Sequence, residues 1–215
     1  WESSRDKFRE LEDYKPLIEH DTLAFEPGER FQYSNTGMFL LGVIIESVTG
    51  ETYFDHVQKY IHEPAGMTNT ACYEMDRPVE NLAIGYIPDP ENPWGWQNNI
   101  YLHVLKGGPA GGGFSTVRDL FRFSRALTTG KLVGKASLEK MWTPQSEVPY
   151  GYGFSIGNGP AGRVVGHGGG FPGLNGNLDI FPDRDYTVAV LSNYDQGASP
   201  VASKIKEWIE RLEEM

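Results

Sequence analysis

The chain contains a single cysteine, Cys72, so no internal disulfide can form and no cysteine-rich metal site is available. Positive charge is also scarce. Nineteen Lys and Arg stand against 29 Asp and Glu, a formal charge of −10, and the basic residues are scattered without a run. That balance repels a phosphate backbone and removes nucleic acid from the candidate partners. Long apolar runs are missing too: the longest, Met38–Ile45, stops at Glu46, well short of the ~20 residues a membrane helix needs. The histidines at 20, 56, 62, 103 and 167 form no helical ligand pair with a carboxylate base. No glycine stretch ends in the Gly-Lys-Ser/Thr of a phosphate loop. Neither a metal nor a cofactor is expected.

What is present suffices for a folded domain. The 215 residues, 39% apolar and 22% charged, have a globular rather than a disordered composition. A chain of this size buries roughly 70% of the surface its unfolded form exposes, so a core can hold it without staples. The opening WESSRDKFRELEDYK carries neither an initiator Met nor an apolar signal core, which points to a removed segment or a start inside a larger protein.

Periodicity changes along the chain. Residues 3–20 are polar with sparse apolar positions and suggest a surface helix ended by the turn Glu26-Pro27-Gly28. Asn35 or Thr36 can cap a helix that runs to Thr49-Gly50. Apolar residues cover nearly every face of it, so it is expected to be central and buried. A second helix over about 52–62 should stop before Pro64. Residues 76–113, rich in Pro, Gly, Asn and Trp, lack clear periodicity and form a functional or mobile loop. Helices follow at about 117–128, capped by Ser115 or Thr116, with Thr116 and Asp119 at capping-box spacing, and near 135–141. After Tyr150 the period drops to two: Tyr152-Phe154-Ile156, Leu174-Gly176-Leu178-Ile180 and Tyr186–Leu191 read as antiparallel strands. An amphipathic helix with Val201, Ile205, Trp208, Ile209 and Leu212 on one face should then cover the sheet. The fold class is α+β: a single domain, mainly helical over 1–145, with an antiparallel sheet and packing helix over 146–215.

Two features stand apart from core and punctuation. Tyr33-Ser34-Asn35 sits at the entry of a very apolar helix, beside unpaired backbone N–H groups; read plainly, Asn35 caps and Tyr33 packs. His167-Gly168-Gly169-Gly170 opens a strand, where missing side chains let a ligand approach the backbone; read plainly, it is a glycine-rich hairpin loop. A third candidate is the aromatic loop with Trp94, Trp96, Tyr101 and His103. Its tryptophans would select substrate, or the loop packs on itself.

Taken together these motifs resemble the serine β-lactamase-like hydrolases, a superfamily that includes class C β-lactamases, D-alanyl-D-alanine carboxypeptidases, D-aminopeptidases and related esterases. The resemblance runs in order through Phe31-x-Tyr33-Ser34-Asn35-x-Gly37, Pro64-Ala65-Gly66-Met67, Pro109–Gly113 with Ser115 and Thr116, Tyr150–Phe154, His167–Gly169 and Leu191-Ser192-Asn193. It therefore covers nearly the whole chain. It implies an acyl-enzyme mechanism on a small-molecule or peptide substrate, with a serine from a Ser-x-x-Lys helix as nucleophile. Tyr33 would move protons and Asn35 would donate to the substrate amide or the lysine. His167 stands where many members carry the Lys of Lys-Thr-Gly, and the Gly170 N–H would face the oxyanion. A neutral imidazole attracts a carboxylate less than an ammonium does, which tilts the expectation from lactamase toward peptidase, amidase or esterase.

The nucleophile is the main departure. Ser-x-x-Lys strings begin at Ser4, Ser137 and Ser203, the first too close upstream of Tyr33 and the others after it, so all three read as coincidence. The expected chain is incomplete at its N-terminus, lacking a partner segment that carries the nucleophile helix and strands beside Tyr186–Leu191. Alone it should be inactive, because without a neighbouring ammonium Tyr33 loses competence as a base. The other reading is a non-catalytic relative that keeps the fold for binding or assembly.

Overall fold

The computed structural model describes residues 5–89, 91–92 and 95–212. The first segment does not form one surface helix. It breaks into 3-10 turns at Arg5–Lys7 and Leu11–Tyr14 and a single turn, α1 (Lys15–Ile18). Its sparse apolar residues explain why: only Phe8 and Leu11 among its described residues are buried, too few contacts to hold a longer helix together.

Helix α2 spans Asn35–Thr49. Its cap is Ser34, whose Oγ accepts the Gly37 N–H at 3.0 Å, so Asn35 is the first helical residue and not the cap. Gly50 ends the helix in the left-handed conformation, φ 72°. The helix is not buried all round. Gly42 faces inward so closely that an added Cβ would lie 2.2 Å from Pro109 Cγ and 3.0 Å from Leu11 Cδ1. The opposite stripe, Leu40, Leu41, Ile44 and Val48, is 45–79% exposed, which leaves an apolar face uncovered.

Thr52 caps α3 (Tyr53–Val57), which continues through a π turn at Gln58–His62 into α4 (Glu63–Ala65). The expected stop before Pro64 moves to Gly66, φ 74°. The wider turn accounts for this: Glu63 N–H reaches back five residues to Gln58 O, and Pro64 enters at the start of the next turn, where its missing N–H costs nothing.

The long irregular segment holds a short antiparallel pair, β1 (Tyr86–Pro88) and β2 (Trp96–Asn98). Helix α5 (Val117–Thr128) starts on Thr116, whose hydroxyl accepts the Asp119 N–H at 3.2 Å. Asp119 itself is fully buried. Its carboxylate accepts from Asn69 N at 2.7 Å, Thr70 Oγ1 at 3.0 Å and Arg122 at 2.9 Å, tying α5 to the chain that leaves Gly66. Helix α6 is Lys135–Met141.

The main sheet runs in the order of its strands, β3 (Ser155–Gly159), β4 (Gly162–Phe171), β5 (Leu174–Phe181) and β6 (Tyr186–Ser192), all antiparallel. Alternation sends Val165, Leu178 and Ile180 to one face, against Leu127 of α5 and Leu138 and Trp142 at α6. Val164, Phe181 and Val188 go to the other face, against Ile205 and Ile209 of α7 (Ser199–Leu212). Val201, Trp208 and Leu212 of α7 remain about half exposed, so the helix covers the sheet with only part of its expected apolar face. The glycine run does not open a strand. It is the second half of β4, paired across Gly169↔Gly176 and Gly170↔Asn175, and the turn comes later at Pro172-Gly173, where φ is 82° at Gly173.

Candidate active site

Tyr33 leaves the chain just before α2 is capped, so its ring is free of the helix. It meets two others. The Tyr33 ring lies 5.9 Å from the His167 ring and 6.0 Å, edge-on, from Tyr150. Tyr150 closes the triangle at 5.8 Å from His167 and also meets Phe31 at 5.7 Å. The Tyr150 hydroxyl is 3.1 Å from His167 Nε2, and His167 Nδ1 is 2.6 Å from Gly168 O. Burial pushes the Tyr150 phenol above its ordinary value of 10, and Tyr33 adds to the shift.

The glycine strand supplies backbone to the same place. Strand β3 stops pairing at Ser155↔Gly166, whereas β5 continues to Phe171↔Leu174. Gly159↔Gly162 closes a two-residue turn and is therefore a hydrogen-bonded pair, so by the alternation of an antiparallel ladder Val164 and Gly166 also turn their peptide groups to β3. Gly168 and Gly170 therefore also point to that side, beyond the last β3 partner, and their N–H groups meet an open edge. Gly169 lies on the His167 face, and a Cβ added there would meet nothing within 4 Å. Asn175, buried, steadies this edge. Its Nδ2 donates to Gly169 O at 2.9 Å, and its Oδ1 accepts from Ala198 N at 2.8 Å and Ser199 N at 2.7 Å at the start of α7.

Tyr33, Asn35, His167, Gly168, Gly169 and Gly170 all line one cavity of about 1050 Å³. The two sequence features are thus brought together. Trp96 does not line the cavity. It packs edge-on to Tyr194 at 4.8 Å, and the segment carrying it is pinned to the sheet by Tyr86 N to Asn193 O at 2.8 Å and Asn99 Nδ2 to Pro172 O at 2.9 Å. Trp94 lies outside the described residues. Cations in the cavity wall are already engaged: Lys106 Nζ is 3.1 Å from Glu10 Oε1 and sits over the Phe54 ring at 3.6 Å, and Arg9 reaches Glu74 at 2.6 Å and Asp76 at 2.5 Å. Ser137 and Ser203 are exposed on α6 and α7, outside the residues that line the cavity, and Ser4 lies outside the described residues. Sequence reasoning missed Tyr150 and Asn175 as parts of the site. Tyr150 begins a glycine-spaced aromatic motif, Tyr150-Gly151-Tyr152-Gly153, which carries part of the resemblance but gives the tyrosine no role at the site.

The family model described as Beta-lactamase matches residues 3–212. A curated penicillin-binding protein of Bacillus subtilis (strain 168) is 35% identical over 187 residues, covering 80% of this chain and 42% of its own length. A penicillin-binding protein from Bacillus halodurans superposes with TM-score 0.87 at 30% identity, over 93% of this chain and 62% of that one. A D-stereospecific amidohydrolase from Streptomyces sp. does so with TM-score 0.76 at 28% identity, over 93% and 61%. The chain thus spans about half the length of the curated relative and under two thirds of the solved ones.

Proposed function

The chain belongs to the Beta-lactamase family, and from that premise we propose that it carries the proton-transfer and oxyanion side of a serine hydrolase. The substrate would hold an amide, D-amino-acid peptide, ester or lactam bond, cleaved through an acyl-enzyme. The observation behind this reading is the meeting of Tyr33, His167 and the open edge of Gly168 and Gly170 in one cavity. Acyl transfer needs a group that shuttles a proton between nucleophile and leaving group, and N–H donors where negative charge develops on the carbonyl oxygen. Tyr33 fills the first role and the Gly170 N–H the second. Asn35, at the mouth of α2, donates to the substrate amide, and Gly168 and Gly169 let its backbone lie against β4.

The nucleophile, in this reading, comes from a segment outside these 215 residues. Three observations support it. The α2 stripe of Leu40, Leu41, Ile44 and Val48 is exposed. Strand β6 has β5 on one side and, among the described residues, no strand on the other. Ser137 and Ser203 are absent from the cavity wall. A segment that brings a Ser-x-x-Lys helix and a neighbouring strand would cover the apolar stripe, satisfy the open edge and complete the site. Residues 1–215 alone are then inactive. The test is a panel assay on the full-length protein with nitrocefin, p-nitrophenyl esters and D-alanyl amides. Turnover of one class with loss in Tyr33→Phe supports the reading; no turnover of any class makes the cavity that of a non-catalytic binding module.

A further inference from the structure

The hydrogen bonds of His167 determine where its proton sits. Gly168 O has no hydrogen to give, so the ring nitrogen 2.6 Å away, Nδ1, must be the donor. A neutral imidazole holds one proton. In the neutral ring Nε2 is then bare and, at 3.1 Å, is placed to accept the Tyr150 hydroxyl.

We infer that Tyr150 is a positioning residue for this site, holding His167 in the Nδ1–H tautomer with both ring nitrogens engaged by the protein's own groups. The inference rests on the proposed function for its catalytic consequence, though not for its geometry. The Tyr150 ring is itself fixed from two further sides, by Phe31 at 5.7 Å and Tyr33 at 6.0 Å, so the hydroxyl is presented in one direction at little entropic cost. With its nitrogens engaged, His167 turns the flank of its ring to Tyr33. It acts by shaping the wall beside the phenol, and gives no proton of its own to the substrate. Removing only the Tyr150 oxygen frees Nε2, lets the ring rotate and exchange tautomers, and loosens the Tyr33 contact.

The experiment is a two-bond proton–nitrogen correlation spectrum of the full-length protein labelled with ¹⁵N-histidine, wild type beside Tyr150→Phe, with His167 assigned by substitution. The expected wild-type pattern is a protonated Nδ1 and a bare Nε2, and the variant should show a mixture of tautomers. On the substrate identified by the panel, kcat should fall about fivefold to tenfold with KM little changed, the loss of one hydrogen bond. A wild-type Nε2–H tautomer, an unchanged tautomer in the variant, or an unchanged kcat overturns the inference. The wild-type spectrum reads the tautomer even if Tyr150→Phe does not fold. If the protein turns over no substrate, the proposed function fails while the spectra still decide what Tyr150 does to His167.

Discussion

Substituting Gly169 separates access from stability. The residue sits in β4 on the face of His167, its φ is not in the left-handed region, and a Cβ placed there meets no atom within 4 Å. Neither the backbone nor packing therefore requires glycine. A side chain at this position should leave stability unchanged or raise it by up to ~1 kcal/mol, because glycine weakens a strand interior and valine suits one. The same side chain projects into the cavity lined by Tyr33 and Asn35. A substrate lying along the open glycine edge would be displaced by more than 1 Å, and misplacement on that scale costs about 100-fold in rate. Gly169→Val in the full-length protein is thus expected to keep or raise its denaturant midpoint and lose at least about 100-fold in kcat/KM. Gly166→Val is the control. There a Cβ would lie 2.0 Å from Leu178 O and 3.0 Å from Asp179 Cα, so the backbone must shift and stability should fall by about 1–3 kcal/mol. If Gly169→Val folds normally and keeps kcat/KM within threefold, no substrate passes over this strand and the argument is wrong.

Other consequences follow from single groups. Asp119→Ala leaves three donors without their buried acceptor and should cost about 3 kcal/mol by urea denaturation; a cost under about 0.5 kcal/mol would remove it as the tie between α5 and the chain after Gly66. Asp179 is held above its ordinary value of 3.8, first by burial, while Asn177 and Lys206 pull the other way. Its charged form is disfavoured in the fold, so it lowers stability progressively as pH rises past 3.8. Asp179→Asn should accordingly be more stable than wild type at neutral pH and equal to it below about pH 3.8, and an equal difference at both pH values would contradict this. Trp96→Ala, which removes a ring packed on Tyr194 away from the cavity wall, should leave the ratio of rates on esters and D-aminoacyl amides within about twofold while costing roughly 1 kcal/mol of stability; a larger change in the ratio would show that the aromatic loop reaches the substrate.

The legible parts of the fold were those where one local signal decides. Helix α5 began on Thr116 and ended near Thr128 as its spacing indicated, because cap and apolar stripe agreed. The strands after Tyr150 followed their period of two. Where long-range contacts decide, the sequence was mute. Nearly all-round apolarity marked α2 as buried, yet burial needs a neighbour, and only its Gly42 side meets one here. Pro64 looked like a stop, but a π turn absorbed it. The glycine run looked like the opening of a strand or a hairpin loop because glycine is a poor strand former; pairing on β5 makes it the second half of β4. At the site, the two motifs pointed to one place. Tyr150 was hidden because its role depends on the 17-residue separation across which it meets His167.

The central claim is that this cavity serves a serine nucleophile that residues 1–215 do not provide. The direct measurement is intact mass followed by peptide mapping of the full-length protein after treatment with a fluorophosphonate or a penicillin. The account predicts one adduct, on the serine of a Ser-x-x-Lys outside these residues, and its loss when that serine is replaced by alanine. An adduct on Ser4, Ser137 or Ser203, or no adduct on a serine at all, would contradict it.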